Sequence, residues 1–536
     1  MYSSKALSSS GDVTPVRTVG GTLPPPSLIL LIVVCVCASL ALPAGFAGWD
    51  DLHYVQAAQR WLVEGVNLPA NHWATRLPYV LTIAASIRVF GLSDLALLVP
   101  NTILFVVMLL LLWRIGCQVF DPRTALCTAF VAAATPLFFR MPTTYYPEVL
   151  ETVCAAGSTA LTLAALRHAS GRRPAAALLL AAGLLGGGGI LVRQTSIAVP
   201  LALSVLIVLC DRLQPDPTRP RRALASILLL AVGYAIPVAC ETLFYVAMTG
   251  NPLERLRIDS RHVLIPSAHM TGGTFTGGSP LFNWNLAARW DVPALIRVHW
   301  TINPLLRVFT YPGLLLTPWL CVAGGGVAMR LRGLPRAYAI FACTGFVLQY
   351  VLNTFVLVIA PDTRYFSISV ALALPLAGLL LSRLRRPLLL AAGCLLIVPC
   401  LLVMALAPSP AHMMPALRDY AARGQPIHVS SQLNDAATLL LAEHSELARN
   451  IRVSPDPARI PVGDLATVEI YGWPDGAAGP RCADGRQEWQ PVDTRPAPGI
   501  LWTVLGDLRL TRLAPAKLAK TLDREKDRLD LVRRAC

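Results

Sequence analysis

The sequence predicts a polytopic α-helical membrane protein carrying a small C-terminal domain of mixed α/β type outside the membrane. Three observations predict it. Hydrophobic residues make up 54% of the 536 and charged residues only 14%, against about 25% charged in an ordinary soluble protein. The apolar residues arrive in blocks long enough to cross a hydrocarbon layer of ~30 Å. The arginines cluster in short loops between those blocks, in the alternation that orients membrane helices.

Residues 1–26, rich in Ser, Gly and Pro, read as a disordered tail on the inner side. The first span runs from Leu28 to Phe46. Its length, and the absence of a small-residue cleavage site before further spans, disfavour a cleaved signal peptide. The polar stretch Gly48 to Trp73 then lies outside. The next apolar segment, Leu77–Phe90, is short, opens on Arg76-Leu77-Pro78 and contains Arg88. Laid in the interface, it lets Leu95–Trp113 run inward to Arg114 and Arg123. Ala125–Phe139 returns outward, and Val149–Leu166 descends to Arg167, Arg172 and Arg173.

The alternation continues through the remaining spans. Ala175–Leu191 rises to Arg193, and Ile197–Leu209 falls to Arg212, Arg219, Arg221 and Arg222. Leu224–Met248 rises to a long polar stretch, and Leu306–Val327 falls to Arg330, Arg332 and Arg336. Ala337–Ile359 rises to Asp362 and Arg364, Ser367–Leu381 falls to Arg383, Arg385 and Arg386, and Leu388–Leu406 leaves again. Every cluster of two or more arginines in a short loop lands on one side. About eleven spans follow, with Leu77–Phe90 counted as interfacial.

The membrane domain is therefore expected over residues 27–407, with outer loops 48–94 and 250–305. An extracytoplasmic domain is expected over 408–536, after the loop Ala407-Pro408-Ser409-Pro410. Within it, Pro426–Ser430, Thr467–Tyr471 and Leu501–Val504 predict strands, and Asp435–Glu443 and Pro515–Leu522 predict helices.

The net charge of +15 belongs largely to the inner loops, so nucleic-acid binding is a poor explanation of it. Most of the 13 cysteines sit in apolar stretches, as at Cys35, Cys37, Cys117, Cys127 and Cys400, and none forms a CxxC pair. Metal and redox chemistry thus have little support. Cys482 and Cys536 lie in the hydrophilic tail, where they are free to pair. No Walker motif, dinucleotide fingerprint or zinc motif occurs, which disfavours a soluble nucleotide donor or an ATP-driven pump. The Gly186–Gly189 run falls inside a span, where it predicts close helix packing.

Chemistry-bearing residues gather on the outer side. Asp50 and Asp51 follow the first span and precede a helical pattern through Tyr54 and Trp61. One acid suffices to cap that helix; the second points to proton abstraction from a hydroxyl or to a divalent cation. Glu148 and Glu151 open a span after Thr143-Thr144-Tyr145-Tyr146-Pro147. Pro followed by Glu is also an ordinary helix start. Arg193 and Gln194 form a tight outer turn, and Pro361-Asp362-Thr363-Arg364-Tyr365-Phe366 forms another. Arg76 and His72 add a third basic group. An outer arginine can snorkel to headgroups, but three separated ones on the less positive face suit an anionic substrate. The long outer loop adds Arg255, Arg257, Arg261, His262 and His269, which read as surface-loop groups. Its Thr274–Gly278 stretch suits a lid.

This order of pieces resembles the membrane-embedded glycosyltransferases of the C superfamily (GT-C), notably the lipid A aminoarabinose transferases and the protein O-mannosyltransferases. The resemblance covers roughly residues 27 to 405. It rests on Asp50-Asp51 with Tyr54, on Arg76-Leu77-Pro78-Tyr79, on Pro147-Glu148, on Arg193 and on Arg364-Tyr365. It implies a polyprenyl-phosphate sugar donor and inverting transfer, with Asp50 as the base and Asp51 beside it. Glu148 would line the catalytic cavity. Arg364, Tyr365, Arg193 and Arg76 would hold the donor phosphate. His53, Tyr54, His72, Tyr145, Tyr146, His262 and His269 are the expected sugar or acceptor contacts.

Where the family often places a further acid and then arginine, this chain has Leu52-His53, and Arg76 replaces a lysine before proline. The acceptor implied is a glycan, a lipid or a protein, and the setting a bacterial inner membrane with the site facing outward. No cofactor is required, since the family includes members without a metal, although the two acids leave a divalent cation open. A polyprenyl-lipid transporter or flippase would use the same spans and arginines, but no internal repeat is evident and the polar groups gather at one side. A non-catalytic scaffold for envelope assembly is the third reading. It would tolerate loss of Asp50.

Overall fold

Inside hydrocarbon, backbone N–H and C=O groups have no water to bond, so each apolar block must satisfy them internally as a helix. The computed structural model describes residues 24–42, 50–167, 172–213, 219–263, 303–356, 363–406, 413–429, 447, 449–454, 459–468, 482, 488–495 and 529–536. Among these, eight helices are long and apolar enough to cross a membrane: Leu95–Val119, Glu148–Arg167, Pro174–Val192, Gln194–Arg212, Arg222–Thr249, Leu334–Thr354, Thr363–Ser382 and Arg386–Met404.

Eight is fewer than the eleven expected, and the three differences have local causes. The first apolar helix ends at Ala41, and residues 43–49 lie outside the described set. The segment expected over Ala125–Phe139 is a helix over Pro122–Ala133 and a single turn, Pro136–Phe139. Pro136 lacks the N–H that would continue the longer helix. The segment expected over Leu306–Val327 is split into Asn303–Thr310 and Thr317–Met329. Between them, Leu315 adopts φ 49°, a left-handed conformation that no α-helix passes through.

The helix Leu77–Phe90 has 14 residues, which at about 1.5 Å each gives roughly 21 Å. That falls short of a ~30 Å layer, in keeping with an interfacial position. Pro78 stands in its first turn, and Gly91 with φ 70° stops it.

Burial orders the bundle. Thr363–Ser382 and Glu148–Arg167 have 83% and 78% of their apolar windows inside the protein, against 22% for Arg222–Thr249 and 17% for Arg386–Met404. The outer pair therefore presents side chains such as Leu228, Val232, Leu390 and Leu395 outward, as lipid contact requires. The two central helices are the one that the Arg364 turn leads into and the one that begins at Glu148. Close packing depends on glycine in places: a side chain on Gly186 would collide with the Tyr234 ring, and one on Gly187 would reach the Tyr234 carbonyl oxygen. The glycine run is thus a helix-packing point, as its sequence predicts.

The C-terminal part forms a five-stranded sheet from β1 (Ile427–Val429), β2 (Ile451–Val453), β3 (Leu465–Val468), β4 (Trp489–Arg495) and β5 (Leu529–Arg534), in the order β2-β1-β3-β5-β4. β1 pairs in parallel with β2 and β3, and β5 pairs antiparallel with β3 and β4. Buried His428 ties this sheet together, with Nδ1 2.7 Å from Ser454 Oγ and Nε2 3.0 Å from Asp464. Cys482 and Cys536 are disulfide-bonded. The expected strands at 426–430 and 467–471 overlap β1 and β3. Leu501–Val504, Asp435–Glu443 and Pro515–Leu522 lie outside the described residues.

One apolar core joins the two parts. Leu52, Tyr54, Val55, Tyr79 and Val80 pack in a single cluster with Leu417, Tyr420, Ile427, Val429, Leu465 and Leu531. The sheet is thereby seated beside the helices that bear Asp50 and Arg76.

Candidate active site

Asp50 opens the helix Asp50–Glu64, whose buried face is Leu52, Tyr54, Val55, Ala57 and Ala58. Glu148 opens the central helix Glu148–Arg167. Arg193 stands between two spans, where the chain turns through Gln194–Ile197. Arg364 and Tyr365 form a turn just before Ser367–Ser382. Arg76 precedes the interfacial helix. These five segments meet.

Arg193 donates to Glu148 Oε1 at 2.8 Å and lies 3.9 Å from Glu151 Oε2. Arg364 lies 3.3 Å from Asp50 Oδ2 and 4.0 Å from Glu148 Oε1. Tyr365 sits between the arginines: its ring centroid is 4.5 Å from the Arg193 guanidinium and 5.3 Å from that of Arg364. Tyr146 offers Arg364 a second face at 5.3 Å, and Tyr54 lies 5.3 Å from Arg76. Flat guanidinium groups stack on aromatic faces while keeping their in-plane N–H groups free for oxygen ligands.

The cluster is electrically tense. Burial and the neighbouring charge of Arg193 push the Arg76 guanidinium down to about 10, still protonated at neutral pH. Burial alone would lower Arg193 too, but Glu148 and Glu151 outweigh it and hold that guanidinium above its ordinary value. Burial raises the Tyr146 phenol. Glu148 Oε2 is buried without a hydrogen-bond partner among the described residues, and so is the Tyr54 hydroxyl. Buried polar atoms left in this state are costly.

The other expected residues fall around this cluster. Asp51 is 2% exposed and its Oδ1 accepts the Leu52 N–H at 3.0 Å. His53 and His72 both pack on Trp73, with centroids 4.1 and 3.6 Å away. Tyr145 is buried in the core shared with the sheet. His262 belongs to the helix Glu254–Val263, but its side chain, like His269 and the Thr274–Gly278 stretch, lies outside the described residues.

Three groups carry more than their sequence suggests. Glu151 Oε1 accepts from Thr195 at 2.7 Å and Ser196 at 3.0 Å, pinning the turn behind Arg193. Its spacing from Glu148, three residues along a helix, was a usable signal. Arg255, expected as a surface-loop group, is half-buried against Glu241 and donates to the carbonyls of Ile190 and Leu191 at 3.2 and 3.1 Å. Asp259 accepts from Gln194 at 2.6 Å. Neither of the last two has a local signature.

Among the described residues, no three His, Cys, Asp or Glu groups are arranged to hold a metal ion. At the cluster, the guanidinium groups of Arg76, Arg193 and Arg364 stand among the carboxylates of Asp50, Glu148 and Glu151. No step below passes through a metal.

Residues 77–240 match the family model described as dolichyl-phosphate-mannose-protein mannosyltransferase. The chain is similar to the C-superfamily membrane glycosyltransferases. The matched stretch contains Glu148 and Arg193 and begins one residue after Arg76. No curated protein matches. Among solved structures, ArnT from Cupriavidus metallidurans bound to undecaprenyl phosphate aligns at 13% identity over 82% of this chain and 92% of that one, TM-score 0.49. The Archaeoglobus fulgidus oligosaccharyltransferase in complex with zinc and sulfate aligns at 13% identity over 81% of this chain, TM-score 0.48. This chain spans 63% of the archaeal protein's length. Likenesses this distant transfer no chemistry from those proteins to this one.

Proposed function

We propose that this protein is an inverting glycosyltransferase that moves one sugar from a polyprenyl-phosphate donor to a glycan, lipid or protein acceptor at the outer membrane surface. The observation that carries the reading is the convergence of Asp50, Glu148, Arg76, Arg193 and Arg364, from five chain segments, at the ends of the two most buried helices. Charges at such a place are expensive and mark function.

The chemistry follows from the charge pattern. The acceptor oxygen attacks the anomeric carbon from the face opposite the phosphate, and the bond from that carbon to the phosphate oxygen breaks. Asp50, the more exposed of the two aspartates, takes the acceptor proton. Arg364 and Arg193, with Arg76 beside them, stabilise the charge left on the lipid phosphate. Glu148 Oε2 is available to a sugar hydroxyl.

An apolar cavity of about 590 Å³ lies beside the helix that follows Arg364 and is lined by Phe309, Cys321, Val347, Val370 and Ala373. It contains none of the charged groups and suits isoprene units of the donor tail. In this reading residues 27–407 form the transferase unit, 408–536 an extracytoplasmic acceptor-side domain and 1–26 an inner tail. The first apolar helix Pro26–Ala41 and the two broken segments 122–139 and 303–329, each longer than its longest helix, complete eleven crossings with the eight long ones in this reading.

The deciding experiment is transfer from a panel of radiolabelled polyprenyl-phosphate sugars in nanodiscs, comparing the wild type with Asp50→Asn and Arg364→Ala. Donor-dependent product that vanishes in Asp50→Asn supports the reading. Binding of lipid phosphate that survives both substitutions, with no product from any donor, refutes it and favours a transporter or a scaffold.

A further inference from the structure

Arg76 and Arg193 belong to different segments and carry like charges, and Arg193 helps to depress Arg76. Something must hold them together before an anion arrives. The helix Glu254–Val263 touches the residue next to each. Asp259 lies on that helix, half-buried. Its Oδ1 is 3.0 Å from Thr75 Oγ1 and its Oδ2 accepts from Gln194 Nε2 at 2.6 Å. Thr75 immediately precedes Arg76, and Gln194 immediately follows Arg193. One turn earlier, Arg255 lies 3.6 Å from the same carboxylate and binds the carbonyls of Ile190 and Leu191, which end the helix leading into Arg193.

We propose that Asp259 is a positioning residue that locks Arg76 and Arg193 into a single anion-binding pair. It bridges the two segments, while Glu151 pins the Arg193 turn through Thr195 and Ser196. The inference rests on the donor-phosphate reading of these arginines and adds to it a residue that touches neither phosphate nor sugar. A bridge of this kind removes the freedom the arginines would otherwise lose on binding, so it acts on affinity for the anion.

The hydrogen bonds also say which substitution preserves the bridge. Thr75 Oγ1 has one proton, and His72 O lies 2.7 Å from it. Thr75 donates that proton to Asp259 Oδ1 at 3.0 Å, but its hydroxyl can instead turn to the His72 carbonyl and accept from a donor placed at Oδ1. In Asp259→Asn the amide N–H₂ donates to Thr75 while the amide oxygen accepts from Gln194, so the bridge survives. In Asp259→Ala both arms are lost.

The test is equilibrium binding of undecaprenyl phosphate to the full-length protein in nanodiscs. Asp259→Ala is expected to weaken binding about tenfold and Asp259→Asn by no more than about threefold. Thr75→Ala and Gln194→Ala each remove one arm and are expected to fall between the wild type and Asp259→Ala. The losses in Asp259→Ala and Arg193→Gln should be sub-additive in the double variant, because both act on one pair. Unchanged binding in Asp259→Ala, or full additivity with Arg193→Gln, overturns the inference while leaving the phosphate reading in place. Unchanged binding in Arg193→Gln and Arg76→Gln removes the phosphate reading itself. Should Asp259→Ala not fold, the two single-arm variants decide: no loss in either rejects the bridge.

Discussion

The Glu148–Arg193 and Asp50–Arg364 pairs share one cluster but not one environment. The side chains of the first are 6% and 8% exposed and meet at 2.8 Å; those of the second are 25% and 27% exposed and meet at 3.3 Å. A buried pair gains strongly from its mutual attraction but has paid a large desolvation cost, so losing one partner is severe. A partly wetted pair gains less and loses less. The deeper pair is therefore built to stay, whereas the outer pair can exchange partners. Asp50 can leave Arg364 for an acceptor proton, and Arg364 can turn to a phosphate.

The strongest way to break this contrast is Asp50→Asn. Losing a general base at the outer pair should cut transfer about 10²–10⁴-fold. The same substitution should shift folding stability by under ~1 kcal/mol. Transfer rates and thermal unfolding on one nanodisc preparation report both. A large loss of stability would place Asp50 with the deeper pair.

Arg193→Ala tests the other side. It strands Glu148 and Glu151 in the protein interior, and the expected cost is about 3–5 kcal/mol of stability. Adding Glu148→Gln removes one stranded charge and should restore part of it. If Arg193→Ala unfolds at the wild-type midpoint, the pair is not structural.

Arg364→Lys sharpens the contrast without removing charge. A lysine keeps the cation but loses the planar fork and the stacking on Tyr146 and Tyr365. Donor affinity should fall about tenfold, a change of about 1.4 kcal/mol in binding, with the unfolding midpoint unchanged. A smaller effect is expected of Glu151→Gln. Its amide oxygen still accepts from Thr195 and Ser196, so the turn survives and about 1 kcal/mol of charge-assisted bonding is lost. A thermal-shift series separates it from Arg193→Ala.

The same contrast marks what the sequence could convey. Asp50, Glu148, Arg193 and Arg364 were legible because each stands where a helix begins or a span turns, and charge at such a boundary stands out against apolar neighbours. The bundle was legible for the same reason. Helix lengths were less so: the break after Ala133 and the turn at Leu315 each depend on a residue or two inside an otherwise apolar block. Asp259 was not legible at all. Its partners Thr75 and Gln194 are 184 and 65 residues away, and within its own helix it looks like any acid on a wet surface. The sheet order β2-β1-β3-β5-β4 was hidden likewise, because pairing between distant strands leaves no local pattern.

The smallest expected effect concerns Arg60 and Glu64, on the same helix as Asp50. They pair at 2.9 Å with side chains 43% and 48% exposed. An exposed pair four residues apart on a helix contributes about 0.3–0.5 kcal/mol, and it lies three turns from Asp50, beyond the ~8–10 Å over which salt leaves exposed charges able to interact. Arg60→Ala should therefore leave transfer rate, donor affinity and unfolding midpoint within error. A measurable loss of donor affinity in Arg60→Ala would mean that the helix feels charge along its whole length. The partner exchange assigned to Asp50 and Arg364 would then reflect a diffuse surface field, not the contact between those two groups.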